Sequence, residues 1–589
     1  MNHRLFSRVC RLAAIGAILL CSASCITVNE RLGENFIPTD QKWNVFLPEA
    51  VELKDIRLQM SDSLSGYSTS RFTFGSVRDE VMGTCNKATT FTLIPIAGSL
   101  NFGKNIKVRN FHFTAVRDTV STVYDNQQNM LQNVYVSELK KPLDSTVLYV
   151  SSFSPDTEKG RENREKYLDT DNRITVGVPV YNGGDSLSFN FDKTWTLDFL
   201  ERISAAGLSN MEKYLEAAPG IYIETDAQTD LGGRINMFNL TIETDSYGYI
   251  GGNYALLDIT SDYGTRENVD TSFIFYFGPA EFLKSDDTEY PTQFAFNVSD
   301  HESGDRFSGE GMVAGSEMPI EGGSGVKPVV KASEIKSIVE KVIADSGVTN
   351  PSEVVINKAT IIFPYDVGTD YEALDKYPMI LSPTVCLKSS DGHYVTYAGL
   401  TDSSVESENQ GNINRSLSMY SPDISHHVQE ILKLRQGKGE GISSSESDAE
   451  FAKRVSNYDI WFLIMHEEVS VTASTGSSAQ DDYYNNLLYN SYYNNMMYDP
   501  YGYGYGYGGY GGYGGYGGYG GYGYNNYYNY MMMAAYANSS SSSDSETTTS
   551  VELDKDRYYS CTLNGPDYGS TLEDRPRLKI TFSAPKTAL

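Results

Sequence analysis

Residues 109–116 read RNFHFTAV. Phe111, Phe113 and Ala115 alternate with polar neighbours, and this two-residue apolar period is typical of a β-strand with one buried face. Similar strand-like runs lie at residues 174–180, 187–191, 238–242, 272–277, 354–363, 384–387, 460–466 and 578–582. Turn-forming clusters such as NGGD at residues 182–185 separate the runs. The sequence therefore predicts an all-β fold with two or more β-sandwich or jelly-roll-like domains.

Helices are expected to be few and short. Ser333 and Asp423 are placed to cap helices whose apolar residues recur every three or four positions. Asp198 is placed to open another short helix, and residues 209–212 (SNME) are typical of a capping box. These segments add to the β-rich pattern without changing the fold class.

Composition divides the chain into regions. Ser, Gly and acidic residues cluster at residues 301–330, which predicts a connector between β-sandwich regions at residues 51–300 and 331–589. Residues 475–550 contain Gly-Gly-Tyr repeats and a Ser/Thr run without an apolar period, so we expect this stretch to be disordered. Strand-like runs precede and follow it, and loop closure becomes only slowly more costly with length. We therefore interpret residues 475–550 as an insertion within one domain.

The amino terminus is typical of an exported lipoprotein. Arg4, Arg8 and Arg11 precede a short apolar run at residues 12–21, and the small residues Ser-Ala-Ser then precede Cys25. This resembles a lipobox, although Ser22 stands where Leu is usual. We predict a signal peptide at residues 1–24, lipid on Cys25 and a tether at residues 25–50.

Two alternatives to this processing remain open. Cleavage before Cys21 is one, but the bulky Leu20 precedes that cysteine. An ordinary secretory signal with a chance cysteine is the other. With Cys25 lipidated, the expected location is the outer membrane, facing either the periplasm or the cell surface.

The charge of the chain restricts its partners. The formal net charge is −29, and the signal segment contributes only positive charge, so the remainder is more acidic still. Phosphate binding needs a basic face, which argues against nucleic acid as a partner. The same charge argues against docking onto anionic lipid through a protein surface.

Cys85, Cys386 and Cys561 follow the lipid cysteine. They are far apart, odd in number and without CxxC spacing, so neither a disulfide framework nor a zinc site is predicted. One long-range disulfide among them stays open, because the sequence cannot pair it.

Several segments resemble a family of large envelope lipoproteins of the Bacteroidota, one of the numbered domains of unknown function. The segments are LGENFIP at residues 32–38, SRFTFG at 70–75, VYVSEL at 134–139, FNVSDH at 296–301, GGSGV at 322–326, INKA at 356–359 and RPRLKI at 575–580. The Gly/Tyr repeats depart from the family pattern. The resemblance implies an envelope lipoprotein, all-β, without an assigned activity.

The C-terminal region is also similar to jelly-roll modules attached to bacterial surface proteins and glycan enzymes. The segments NKATIIF, DIWFLI and RPRLKITF occur in the order of those modules. Such a likeness favours a binding module, although a shared fold does not by itself carry function.

A search for motifs assigns no catalytic, cofactor or metal residue. HExxH, GxSxG and phosphate-loop patterns are missing from the sequence. The local candidates are more simply explained by helix faces, loop charge and core packing; they are His426 and His427, His466 with Glu467 and Glu468, the Asp169–Asn172 run, the pairs Asp286-Asp287 and Asp481-Asp482, Trp195 and Trp461.

Two functions follow from these observations. The favoured one is a lipid-anchored, non-catalytic binding or structural module of the cell envelope, with a glycan or an envelope protein as partner. The alternative is a glycoside-acting enzyme, because a pair of acid/base carboxylates leaves no sequence signature.

Overall fold

The computed structural model describes residues 42–586 with gaps. The gaps are residues 62, 69–70, 97–99, 119–121, 125–129, 145, 241, 245–249, 279–293, 303, 308, 369–373, 375, 390–394, 406–410, 440 and 473–545. The signal peptide, Cys25 and residues 475–545 of the predicted disordered insertion lie outside the described residues. The last residues of that insertion, 546–550, form part of a strand, so the predicted disorder is wrong there.

Strands dominate, and the predicted all-β fold is confirmed. The first twenty strands are β1 (Trp43–Phe46), β2 (Val51–Glu52), β3 (Ile56–Met60), β4 (Tyr67–Ser68), β5 (Arg71–Asp79), β6 (Gly83–Pro95), β7 (Lys104–Val116), β8 (Thr122–Tyr124), β9 (Gln132–Asn133), β10 (Tyr135–Leu139), β11 (Leu168–Arg173), β12 (Val180–Tyr181), β13 (Ser186–Asn190), β14 (Ile221–Glu224), β15 (Gly232–Asn239), β16 (Ile242–Thr244), β17 (Ile250–Gly252), β18 (Tyr254–Tyr263), β19 (Arg266–Gly278) and β20 (Ala295–His301). The remaining strands are β21 (Met312–Val313), β22 (Glu317–Glu321), β23 (Val326–Val330), β24 (Val355–Pro364), β25 (Ile380–Lys388), β26 (Val395–Gly399), β27 (Ile413–Asn414), β28 (Met419–Tyr420), β29 (Ile460–Thr472), β30 (Glu546–Leu553), β31 (Ser560–Asn564) and β32 (Arg577–Pro585).

The helices of the described residues are short. They are α1 (Glu158–Tyr167), α2 (Lys193–Ala206), α3 (Met211–Ala217), α4 (Gly304–Phe307), α5 (Ala332–Asp345), α6 (Thr401–Val405), α7 (Ser425–Lys433) and α8 (Asp448–Ser456). Single 3-10 turns lie at Val150–Phe153, Pro351–Glu353 and Leu572–Asp574. No helix in this part of the chain has both the length and the apolar character needed to cross a bilayer.

A curled, 13-stranded antiparallel sheet forms the first region, which we call the half-barrel. Its long strand β6 pairs with β5 and β20 along its first half and with β14 and β19 along its second half, so one strand turns the sheet around a common interior. Aromatic rings fill that interior. The ring centroids of Phe91 and Phe277, and of Phe113 and Phe277, are 4.8 Å apart.

Two further sheets form the second region, which we call the sandwich. One is six-stranded and contains β1, β2, β32 and β24; the other is seven-stranded and contains β3, β23, β29 and β25. Phe363 of the first sheet meets Phe462 of the second edge to face, with ring centroids 4.7 Å apart. Mostly aliphatic side chains surround this contact.

The structure corrects the region boundaries predicted from composition. β1, β2 and β3 pair with strands of the sandwich, so the chain enters the sandwich before it builds the half-barrel. Residues 301–330 form α4 and β21 to β23 instead of an exposed connector, and β23 is buried along its whole length. A Cβ at Gly311, Gly322 or Gly325 would meet a neighbouring group closely, whereas Gly309 and Gly315 have open space.

Several local predictions also change. α2 is capped by Asp192, whose carboxylate accepts from the amides of Thr194 and Trp195, and Asp198 lies inside the helix. α5 already begins before Ser333, and the Asp459 carboxylate accepts from its first amide. For α3 the cap is Asn210. The N-cap of α7 is Ile424 and not the predicted Asp423, although Asp423, one residue earlier, accepts from the amide of Ser425.

The alternating valines at residues 174–180 do not form the predicted strand. Only Val180 belongs to a strand, β12, while Val176 and Val178 are exposed. Gly177, with φ of 68°, lies between these two valines, and this left-handed conformation interrupts extended backbone.

Candidate functional site

Three chemically reactive side chains meet where the half-barrel contacts the sandwich. β6 and β20 pair in a register that places Cys85 opposite His301, and β22 brings Glu321 to the same place. The Cys85 Sγ lies 3.9 Å from His301 Nε2, and Glu321 Oε2 lies 2.8 Å from His301 Nδ1. We call Cys85, His301 and Glu321 the junction cluster.

The junction cluster is sealed from solvent. The exposed fractions of Cys85, His301 and Glu321 are 0%, 5% and 1%. The hydroxyl oxygens of Ser299 and Ser324 each lie 3.0 Å from His301 Nε2. On the other side of the ring, Nδ1 and the facing Glu321 Oε2 are close, yet neither atom makes a hydrogen bond of acceptable geometry.

A buried lysine lies beside the cluster. Lys327 Nζ donates to the backbone carbonyls of Glu321, Gly323 and Gly325, so three carbonyl oxygens surround its three N–H groups. Burial lowers the pKa of Lys327 to about 7, and the Glu321 carboxylate opposes this effect. The loop at residues 322–325 therefore encloses an amine instead of acting as a flexible joint.

Two glycines of this loop are required by close approach. A Cβ at Gly322 would lie 2.5 Å from the Tyr559 amide nitrogen and 2.6 Å from the Arg557 carbonyl oxygen. At Gly325 a Cβ would lie 2.4 Å from Glu321 Oε2. The absence of side chains at these positions lets the loop pack against its neighbours and leaves room for the Glu321 carboxylate.

A second buried carboxylate joins the two regions. Asp556, between β30 and β31, accepts from Asn297 Nδ2 and from Ser68 Oγ, each at 2.9 Å. The backbone carbonyl of Asp556 accepts from Lys87 Nζ at 2.7 Å. Strands β4, β6 and β20 of the half-barrel are thus all bonded to one turn of the C-terminal chain.

The electrostatics of the cluster favour a positively charged partner for Glu321. Burial alone would lower the pKa of His301, but Cys85 and Glu321 outweigh burial and raise it to about 10. Burial raises the pKa of the nearby Cys561 thiol to about 12. Cys85, Cys386 and Cys561 all carry thiols, so the disulfide left open by the sequence is not formed.

The cluster has the residue types for two kinds of chemistry. A thiol, an imidazole and a carboxylate in this order resemble the nucleophile, base and orienting acid of covalent hydrolases. The same three side chains are also ligands of zinc. Because Cys85 is fully buried, a substrate cannot reach its sulfur in this conformation. The described conformation therefore does not allow Cys85 to act as the nucleophile of a hydrolase.

The residues that the sequence singled out do not join this cluster. His426 is exposed, and His427 is buried with Nε2 donating to the Tyr458 carbonyl at 2.8 Å. Burial lowers the pKa of His427 to about 4. His466 lies inside β29.

The remaining candidates have structural places or lie outside the described residues. Asp169 to Asn172 belong to β11, so no calcium loop forms there. Trp195 Nε1 donates to Glu138 at 3.0 Å, and Trp461 packs on Tyr397 with ring centroids 5.4 Å apart. The two Asp pairs and Cys25 lie outside the described residues.

Sequence reasoning missed the junction cluster because its residues lie far apart in the sequence and form no local motif. His301 is separated from Cys85 by 216 positions, and the pairing of β6 with β20 alone brings them together. A signal was present, however. The segments 296–301 and 322–326, which carry part of the predicted family resemblance, both run through this junction.

Comparisons of the chain with protein-family models, with curated proteins and with solved structures give no match.

Proposed function

We propose that this chain is a lipid-anchored protein of the cell envelope that acts as a non-catalytic binding or structural module, with a glycan or another envelope protein as its partner. The observation that supports a non-catalytic role is the burial of the junction cluster. Catalysis requires the reacting group to touch its substrate. Groups sealed to this degree stabilise a contact between two regions instead of transforming a ligand.

In this proposal the anchor is connected to the folded part of the chain through β1. β1 begins at Trp43 and pairs with β32 of the sandwich. The chain from Cys25 to Trp43 spans at most about 60 Å when fully extended. The tether therefore joins the folded part of the chain at the sandwich.

Two sequence features support the envelope location. The signal-like amino terminus ends at Cys25, and several segments resemble a Bacteroidota family of envelope lipoproteins. Lipid on one cysteine, inserted in the outer membrane, would hold an acidic protein that has no attraction of its own for anionic lipid.

Surface proteolysis of intact cells tests the anchor and its orientation. Cells that express the full chain, or Cys25→Ala, are fractionated, treated with protease and probed with antibody to the folded part. We expect the unaltered chain in the outer-membrane fraction and Cys25→Ala in the soluble fraction. Degradation of the anchored chain would place it on the cell surface; protection would place it in the periplasm.

Two results would contradict the proposal. Equal solubility of the unaltered chain and Cys25→Ala would contradict the proposal that lipid on Cys25 anchors the chain. Turnover of a polysaccharide by the purified chain, abolished by changing one acidic residue, would replace the non-catalytic role with the glycosidase alternative. A soluble periplasmic protein that survives in the same cells is the control for membrane integrity.

A further inference from the structure

The junction cluster contains two buried polar atoms that lack hydrogen bonds. His301 Nδ1 and Glu321 Oε2 face each other at 2.8 Å, and neither has a hydrogen-bond partner of acceptable geometry. Buried polar atoms are nearly always satisfied by a protein group, a water or an ion. The two atoms form an ion pair with each other. A metal cation bound by both would take the place of the proton between them.

The chemistry of the cluster selects a metal ion. One ligand atom from each of Cys85, His301 and Glu321 can be chosen so that all three lie within 4.8 Å of one another. In a tetrahedral zinc site with bonds of about 2.0–2.3 Å, neighbouring ligand atoms are about 3.3–3.8 Å apart. To reach that geometry, Glu321 Oε2 must move away from His301 Nδ1, which it faces at 2.8 Å, and Cys85 Sγ, which lies 3.9 Å from Nε2, must shift towards Nδ1.

The combination of donors excludes the hard cations. Calcium and magnesium bind oxygen donors, whereas a sulfur, an imidazole nitrogen and a single carboxylate are the donor set of zinc. A thiolate and a carboxylate also neutralise a divalent cation, so binding buries no net charge. Lys327 does not compete for the cluster, because its N–H groups are directed at three backbone carbonyls.

The surroundings of His301 resemble those of a metal-bound histidine. Such a histidine usually donates its second ring N–H to a neighbouring acceptor, which fixes its tautomer and orientation. Ser299 Oγ and Ser324 Oγ each lie 3.0 Å from Nε2 and can accept that proton. With the proton on Nε2, the lone pair of Nδ1 points towards Glu321.

We infer that Cys85, His301 and Glu321 bind one zinc ion, which joins β6 and β20 of the half-barrel to β22 beside the sandwich. On binding, the Cys85 thiol and the His301 imidazolium each lose one proton to solvent, so Cys85 coordinates as thiolate and His301 as neutral imidazole. The fourth position of the tetrahedron is available to a water or a serine hydroxyl. The ion has a structural role, which differs from the partner binding proposed above and does not depend on it.

The test measures metal content and ligand identity in the full chain. The full chain is purified from whole cells in detergent, without chelator, and its zinc is determined by mass spectrometry. Cobalt is then exchanged for zinc, because a cobalt–thiolate bond gives a near-ultraviolet charge-transfer band. The variants are Cys85→Ser, His301→Gln and Glu321→Gln. The matched control is the double variant Cys386→Ser/Cys561→Ser, which removes other thiols and leaves the cluster intact.

We expect one zinc per chain in the unaltered protein and in the double control, with the cobalt–thiolate band present in both. Each cluster variant should lower zinc affinity by about tenfold or more. If Cys85→Ser fails to fold, the cobalt band of the double control still decides the question, because that chain keeps Cys85. A double control without zinc and without the band would overturn the inference, as would a folded Cys85→Ser chain with full zinc content.

Discussion

The interior of the half-barrel and the junction with the sandwich are built on opposite principles. In the half-barrel, rings such as Phe72, Phe91 and Phe113 pack on one another, and burial of apolar area supplies the stabilisation. At the junction, buried side chains such as Asp556 and Lys327 are bonded to backbone and amide groups. Apolar packing tolerates small changes of shape, whereas a buried polar network leaves a costly unpaired group when one member is lost.

The largest effect is expected in the half-barrel. Phe113 is fully buried and contacts the rings of Phe91, Phe189 and Phe277. Phe113→Ala removes a ring and leaves a cavity, so it should lower the free energy of unfolding by about 3–5 kcal/mol. Urea denaturation followed by tryptophan fluorescence measures the change. Val116→Ala, on the exposed end of the same strand, is the control and should change stability by less than about 0.5 kcal/mol.

A somewhat smaller effect is expected at the junction. Asp556→Ala leaves Asn297 Nδ2 and Ser68 Oγ without their buried acceptor, so the free energy of unfolding should fall by about 2–4 kcal/mol. We expect calorimetry to show one transition for the unaltered chain and two for Asp556→Ala, because the bonds between the regions are weakened. The exposed Asp567→Ala is the matched control. An unchanged single transition in Asp556→Ala would mean that apolar contacts alone couple the regions.

A smaller loss of stability is expected from a substitution in the Gly-rich loop at residues 322–325. Gly322→Ala places a Cβ against the backbone of Tyr559 and Arg557, which should cost about 1–3 kcal/mol in overpacking. Gly315→Ala is matched, because a Cβ there meets no atom within 4 Å. Thermal unfolding of the two variants gives the difference. Equal melting temperatures of the two variants would mean that the loop changes conformation to accommodate the added Cβ, as a flexible connector would.

A further effect, which depends on pH, is expected in the sandwich. The pKa of His427 falls from its ordinary value of 6.5 to about 4 in the folded chain because the ring is buried. The unfolded chain therefore binds the proton more readily between these values, and the free energy of unfolding should decrease as pH falls from 6.5 to 4. His427→Gln should flatten this part of the profile, whereas the exposed His426→Gln should not. If the free energy of unfolding, measured with urea, changed with pH in the same way in all three chains, His427 would not be the cause of the pH dependence.

Sequence reasoning recovered the fold class because the apolar period is a local property. RNFHFTAV lies within β7, and Phe111 and Phe113 both face the core as predicted. Exposed Val176 and Val178 show the limit of this reasoning, since an alternating pattern does not reveal whether a partner strand is present.

Composition misled at residues 301–330 for a related reason. Glycine is frequent both in flexible connectors and where two backbones nearly touch, and only the neighbours of Gly322 and Gly325 distinguish the two cases. The candidate site was beyond reach because its members come from strands whose pairing depends on the whole fold. Cys85 and His301 are ordinary strand residues until β6 and β20 are placed side by side.

The pairing of β29 with β30 has a consequence for how this gene can change. Thr472 pairs with Glu546, so the Gly/Tyr-rich segment leaves the sheet and returns to it at neighbouring positions. Each doubling of such a segment costs only about 0.6 kcal/mol in loop-closure entropy. The fold therefore imposes almost no penalty when the number of these repeats changes. The same place should accept an inserted epitope or fluorescent protein, which makes it a natural point for labelling the chain in cells.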